Sequence, residues 1–237
     1  MAGAVMRALV TGASSGIGET VARRLAAEGH QVALMARRED KLCAIAAELE
    51  GAIAVAGDVA EVEDCEAAVQ RAREHFGGLD ALVNAAGTWV EQPLVEVRYE
   101  QMRSFVDTDV SGALQITRAA LPELMKDGGR IVHINGLQGL IRVRPPVLYA
   151  AVESAVRGFC ESLRWEVAPH GVHVTLVTLG SVANEEASSP DPASLHEHEK
   201  RYRLSRDEVV DSVLFTLSRA AGVNVDELVL TPLGQKF

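Results

Sequence analysis

Thr11-Gly12-Ala13-Ser14-Ser15-Gly16-Ile17-Gly18 follows the short apolar run Ala8-Leu9-Val10 and opens a stretch with helical periodicity. Glycines at 12, 16 and 18 permit a tight turn and let bare backbone approach a ligand closely. The helix that starts inside the motif turns its free N–H groups and the positive end of its dipole toward the same spot, which makes a site for a pyrophosphate. A glycine pattern alone is a weak sign. A strand before it and a helix after it are the context that a dinucleotide-binding turn requires, and both are present here.

Working outward, apolar runs at 7–10, 31–36, 53–56, 81–84, 130–135, 173–178 and 227–230 alternate with helical patterns at 16–28, 41–50, 61–76, 110–125, 147–168 and 206–220. Such alternation predicts an α/β single domain. Its core is a doubly wound, Rossmann-like parallel sheet of about seven strands with helices on both faces. The strands read as apolar runs rather than strict alternation, as strands buried on both faces should. The 237 residues, 48% of them hydrophobic, suit one domain with one large core. No internal repeat, low-complexity tract or linker divides the chain. The long non-periodic segment is 181–204, with Pro190 and Pro192. It leaves the carboxyl end of a strand, where ligands gather in such sheets, so it reads either as a lid over a substrate or as a surface loop.

Charge and cysteine usage narrow the function classes. A formal net charge of −10 repels a polyanion, so nucleic acid is not an expected partner. Cys43, Cys65 and Cys160 are odd in number and widely spaced, which suits a reducing cytosol. The N-terminus runs straight into the first strand without a signal-peptide stretch, and no run approaches the ~18 apolar residues of a membrane span. The expectation is a cytoplasmic protein without membrane attachment. His196 and His198 form a His-x-His pair that nothing nearby completes, so no metal site is expected.

After the second strand comes Met35-Ala36-Arg37-Arg38. In a dinucleotide fold the adenosine ribose lands there. An acidic residue would bind a free 2′-hydroxyl, whereas arginine suits a 2′-phosphate, so Arg37 argues for NADP over NAD; the alternative is a solvated basic pair. Asp58-Val59 follows the third strand, where Asp58 is placed to hydrogen-bond the adenine edge, and Asn84-Ala85-Ala86-Gly87 follows the fourth.

Together with Tyr149, these motifs resemble the classical short-chain dehydrogenase/reductase family over essentially the whole chain. The resemblance implies a seven-stranded sheet, NAD(P) binding, and hydride transfer to or from a small-molecule carbonyl or alcohol. It also implies homo- or hetero-oligomers formed through the helices at 110–125 and 147–168. Small residues at Ala150, Ala151, Ser154, Ala155 and Gly158 agree with close helix approach. The implied cofactor site comprises Thr11, Gly12, Ser14, Ser15, Gly16, Ile17 and Gly18, then Arg37, Asp58 and Val59, then Asn84, Ala85, Ala86 and Gly87, and Gly180. The family's Asn-Ser-Tyr-Lys set carries over badly. Tyr149 matches the tyrosine, but the lysine four residues on is Glu153. The serine thirteen residues earlier is Gly136, with Asn135 just before it, and the asparagine is Asp109. The usual Pro-Gly after the sixth strand is Leu179-Gly180, and a threonine that contacts the nicotinamide amide in the family falls on Asn184.

The substitutions have physical consequences. A unit charge about 5 Å away is worth roughly 3 kcal/mol at an effective dielectric of 20. Exchanging lysine for Glu153 therefore pushes the Tyr149 phenol upward. A neutral phenol donates a hydrogen bond but is no base for alcohol oxidation. Gly136 removes a hydroxyl that would orient a carbonyl, and Asp109 beside Glu153 would raise the pKa of one of the pair. Tyr149, Glu153 and Arg157 share a helix face, so Arg157 is either a surrogate cation or the partner of a Glu153–Arg157 ion pair. His133 and Asn135 share a strand face. His133 reads as a satisfied core histidine, while Asn135 could supply a polar group near the missing serine. Arg142 and Arg144, before Pro145-Pro146, read as a solvated loop or an anion contact. The catalytic candidates are Tyr149, Asp109, Glu153 and Asn135. Three functions follow: a non-catalytic or regulatory partner of an active dehydrogenase, an atypical NADPH-dependent carbonyl reductase using Tyr149, or a non-redox dehydratase, isomerase or cyclase.

Overall fold

The computed structural model describes residues 5–90, 92–140, 146–183 and 203–235. The chain runs β1 (Arg7–Thr11), α1 (Gly16–Ala27), β2 (Gln31–Ala36), α2 (Glu39–Glu48), β3 (Ala52–Ala56), α3 (Val62–Phe76) and β4 (Ala81–Asn84). It continues through α4 (Tyr99–Val106), a wide π-helical turn (Asp107–Ser111), α5 (Gly112–Asp127), β5 (Arg130–Gly136), α6 (Val147–Val167), β6 (His173–Leu179), α7 (Arg206–Leu217) and β7 (Glu227–Leu230). All seven strands lie in one sheet, in the order β3-β2-β1-β4-β5-β6-β7, and every pairing is parallel. The seven expected strands and the doubly wound topology are all present.

Alternate residues of one strand point to opposite faces, and both faces are covered. Leu9, Leu82, Ile131 and Leu176 pack under α3, α5 and α6, with Ile116, Leu124 and Cys160. Their neighbours Val10, Val83, Val132 and Val177 pack on the other side with Val21, Leu25 and Val213. This two-sided burial is why the strands appear in the sequence as unbroken apolar runs. Helix α7 is set by a capping box: Ser205 Oγ accepts the Glu208 N–H at 3.2 Å, and the Glu208 carboxylate accepts the Ser205 N–H at 2.7 Å.

Helix α4 was not expected. The wide turn at Asp107–Ser111 joins it to α5 without a break in helical backbone, so the helix begins at Tyr99 rather than near 110. A π-helical turn inserts a residue into the 3.6-residue period, which puts the apolar stripe of α4 out of phase with that of α5. Phe105, 1% exposed, is the stripe residue this hides. Among the described residues no helix is long and apolar enough to cross a membrane. The order of strands reverses between β1 and β4, and the crevice beyond their carboxyl ends is where such sheets bind ligands.

Candidate active site

Two turns meet at that crevice. Thr11 Oγ1 accepts the backbone N–H groups of Ala85 at 3.2 Å and Ala86 at 3.1 Å, tying the glycine-rich turn to the Asn-Ala-Ala-Gly turn. Gly12 sits at φ +66°, and a Cβ there would lie 2.5 Å from the Ala85 carbonyl oxygen, so the turns touch backbone to backbone. Gly18 lies as close to Gly12, while Ile17 packs into the core. Gly16 differs. It also has positive φ (+59°), but nothing lies within 4 Å of where its Cβ would be. Bare backbone facing open space at the N-terminus of α1 is the cradle a pyrophosphate needs.

At the mouth of the cradle, Arg38 donates from Nε and Nη2 to Ser14 Oγ at 3.1 and 2.9 Å, and from Nη2 to Ser15 Oγ at 2.7 Å. No carboxylate pairs with Arg38 among the described residues. Arg37 reaches Asp58 only at 3.7 Å and keeps its side chain 64% exposed. Two guanidinium groups beside two hydroxyls, with so little carboxylate compensation, suit a phosphate monoester. Sequence reasoning chose Arg37; which of two adjacent arginines turns toward Ser14 is decided only by the fold. A cleft of about 320 Å³ continues past them, lined by Arg37, Asp58, Ala60, Tyr99, Arg103 and Thr108. Tyr99 and Arg103 were missed because α4 was missed. Asp58 is held in place by the Ala60 N–H at 3.0 Å, and Val59 packs against Gly112, where a Cβ would come within 2.7 Å of Val59 Cγ2.

Other residues support the cleft from below. The Asn84 amide is buried in the core and contacts Thr117 Oγ1 and His133 Nδ1, each at 3.1 Å, so the side chain of Asn84 is a structural bracket. His133 is fully enclosed, and burial pushes its pKa down to about 4, which keeps the ring neutral. Gly180 donates its N–H to the Leu230 carbonyl at 2.8 Å and lies beneath the side chain of Gln235.

A second group of side chains is built around Tyr149, on the first turn of α6. Its ring stacks parallel to Phe105 with centroids 5.8 Å apart, and Trp89 packs on it at 4.7 Å. The phenol faces the Glu153 carboxylate closely enough for that charge to raise its pKa. The Gly136 N–H, at the end of β5, donates to Glu153 Oε2 at 2.5 Å. A Cβ at Gly136 would lie 2.5 Å from Tyr149 Oη, so a side chain at 136 and the phenol in this position exclude each other. Asp109 sits in the wide turn and accepts the Thr88 N–H at 3.0 Å and the Thr88 hydroxyl at 2.9 Å. It also lies directly against Gly87.

Three titrating groups therefore share one buried space. Burial, with some help from the nearby Glu153 charge, pushes Asp109 up to about 7 against the pull of the Thr88 donors. Burial raises Glu153, opposed by the Gly136 N–H and the Tyr149 hydroxyl. Burial and both carboxylates drive the Tyr149 phenol well above its ordinary range. The site therefore holds a neutral phenol, a carboxylate facing it, and a second carboxylate that gains and loses its proton near neutrality.

Two expectations are corrected. Arg157 neither pairs with Glu153 nor serves Tyr149; it is clamped by Glu227 at 2.5 and 2.8 Å and by Glu161 at 2.9 Å. The longer reach to β7 wins because Glu153 is turned inward to the Gly136 N–H. Asn135 does not fill in for the missing serine hydroxyl. Its amide nitrogen lies 3.4 Å from the Gly136 and Glu153 carbonyl oxygens, and no contact joins it to Tyr149 among the described residues. Asn184, Arg142, Arg144, His196, His198 and most of the 181–204 segment lie outside the described residues. Among those described, no cluster of His, Cys, Asp and Glu is placed to hold a metal.

Comparison with known proteins agrees with this geometry. Residues 6–192 match the family described as short chain dehydrogenase. An uncharacterized oxidoreductase of Staphylococcus aureus is 31% identical over 229 residues, covering 95% of this chain and 96% of the relative. A short-chain dehydrogenase of Burkholderia cenocepacia solved with NADP superposes with a TM-score of 0.85 at 31% identity, covering 96% of each chain. An alcohol dehydrogenase of the archaeon Thermococcus sibiricus, complexed with 5-hydroxy-NADP, superposes with a TM-score of 0.87 at 28% identity, covering 98% of each.

Proposed function

Because the chain belongs to the short-chain dehydrogenase/reductase family, we propose that it is an NADP(H)-dependent reductase of an unsaturated small molecule, with Tyr149 acting as a neutral hydrogen-bond donor and never as the base of an alcohol oxidation. The observation that carries this reading is the Glu153 carboxylate beside the buried Tyr149 phenol, where the family's lysine would lower its pKa: burial and that negative charge hold the phenol neutral. The cofactor supplies hydride when bound. The chain's part is to hold and orient. Gly16 and the N-terminus of α1 take the pyrophosphate, Arg37 and Arg38 with Ser14 and Ser15 take a 2′-phosphate, and Asp58 takes the adenine edge. NADP in the solved relatives supports the same choice of cofactor. Trp89 and Phe105 keep water from Tyr149, and Asp109 fixes Thr88 at the end of the Asn-Ala-Ala-Gly turn.

The test is a pair of assays on the purified chain. Calorimetric titration should show NADPH binding more tightly than NADH. NADP+ with a panel of primary and secondary alcohols should give no nicotinamide absorbance change, even at alkaline pH. Steady oxidation of an alcohol with a rate rising through the ordinary phenol range would overturn the reading.

A second reading keeps the nucleotide site and drops the chemistry: a non-catalytic partner subunit of an active dehydrogenase. The contact of the Tyr149 hydroxyl with Gly136 favours it, since the phenol fills space where the family's serine side chain would stand. Under either reading α6 supports oligomer formation, because Ala151, Ala155 and Gly158 line an exposed, small-residue face. Light scattering on the isolated chain, followed by co-purification with a tagged bait, separates a homo-oligomer from a subunit that awaits a partner.

A further inference from the structure

The group of side chains around Tyr149 includes two carboxylates, Asp109 and Glu153, and among the described residues no lysine or arginine pairs with either. Three aromatic side chains, Trp89, Phe105 and Tyr149, gather at the same place in a chain that is only 4% aromatic. Phe105 and Tyr149 are buried, but Trp89 remains 58% exposed, so its ring is accessible from solvent. An accessible indole near one buried carboxylate, Glu153, and one partly buried, Asp109, attracts an organic cation twice over, through the ring quadrupole and through charge shielded from water. A neutral carbonyl lacks that attraction, and the negative charge that its reduction builds on oxygen is opposed by the Glu153 carboxylate.

We propose that this end of the site binds an organic cation, and that the substrate is an iminium compound and its product the corresponding amine. The proposal rests on the NADP(H) reductase reading and narrows it to a substrate class. The balance is complete without an acid. The iminium carbon accepts hydride from reduced nicotinamide, a C–H bond replaces the C–N π bond, and the π pair settles on nitrogen. The positive charge passes from substrate to oxidised nicotinamide, and no proton crosses the site. A chain that has exchanged lysine for glutamate beside its tyrosine loses a proton relay that this reaction does not use.

Trp89 supplies a readout independent of turnover. Trp165→Phe leaves it as the sole indole. In that background, with NADP+ bound, the permanently charged N-methyl-3,4-dihydroisoquinolinium is titrated against its neutral isostere 3,4-dihydronaphthalene, following Trp89 fluorescence. The cation should bind about tenfold or more tightly than the isostere, and Glu153→Gln and Asp109→Asn should each reduce that preference severalfold. Equal or tighter binding of the isostere, or a preference that survives both substitutions, overturns the proposal. With NADPH, consumption driven by 2-tetralone but not by the iminium overturns the cation class and keeps the reductase reading. Binding of the cation without NADPH consumption keeps the cation site and overturns the reductase reading. Failure to bind any nicotinamide nucleotide overturns both.

Discussion

Asp109 makes a quantitative prediction. A carboxylate has a pKa near 3.9 in an unfolded chain, and here burial, with the Glu153 charge, pushes it up to about 7 in the folded protein. Between those values the folded state keeps a proton that the unfolded state has lost, so stability falls as pH rises through the window. With these two pKa values the penalty is roughly 1.5 kcal/mol at pH 5 and roughly 4 kcal/mol at pH 8, a difference of roughly 2.6 kcal/mol. Asp109→Asn removes the titration yet keeps an acceptor for the Thr88 N–H, which Asp109 holds at 3.0 Å. For a chain of this size 1 kcal/mol moves Tm by about 2–4 °C. The Tm difference between variant and parent should therefore widen in the variant's favour by about 5–10 °C from pH 5 to pH 8, measured by scanning calorimetry. Glu153→Gln in the parent should shrink the same slope, because the like charge is then gone. A Tm difference that stays flat across the range would refute the reasoning and would mean that Asp109 is ionised throughout.

Gly136→Ser should cost about 1–3 kcal/mol by overpacking against Tyr149 Oη, which a Cβ would meet at 2.5 Å, and the cost read by urea unfolding should fall in a Glu153→Lys background that frees the phenol to move. Arg38→Ala removes the guanidinium held over Ser14 and Ser15; NADPH affinity should fall about 10- to 150-fold in calorimetry, with NADH affinity little changed. Phe105→Ala opens a cavity at a side chain 1% exposed and should cost about 3–5 kcal/mol by urea unfolding, with Trp89 emission altered because the ring it packs on has lost its support.

The fold was legible because its signal is long-range and redundant. Seven apolar runs alternating with helical stretches fix a parallel doubly wound sheet, and the strands lie where those runs predict, to within a residue at either end. What escaped was α4, since one wide turn at Asp107–Ser111 is enough to break the period on which a helix is recognised. Within the candidate site, residues carried on rigid turns were easy to place: Thr11, Gly12 and Ala85 are bound together by backbone contacts that their residue types imply. Long side chains were not. Arg157 had three carboxylates within plausible reach, and the choice of Glu227 and Glu161 over Glu153 depends on where β7 and the Gly136 N–H lie. Arg38 and Arg37 are adjacent in sequence, and only the twist of the chain after β2 says which one covers Ser14.

The departures from the family's catalytic set also differ from what independent decay would leave behind. Random loss of lysine and serine would strand buried polar groups, and each would carry a desolvation penalty. Here the new groups satisfy one another. Glu153 collects the Gly136 N–H and faces the Tyr149 phenol, Gly136 leaves the volume that the phenol hydroxyl fills, and Asp109 collects both donors of Thr88. Glu153 and Gly136 are thus one exchange. Serine at 136 is excluded while the phenol leans toward Glu153, and lysine at 153 would turn a second donor toward the Gly136 N–H. Restoring either residue alone should leave the chain less stable than the parent, whereas restoring both, with Asp109→Asn, should recover stability and permit alcohol oxidation with NADP+. If each single reversion were instead neutral and the activity gains additive, the mutual dependence inferred from these contacts would be wrong, because residues that share partners do not add.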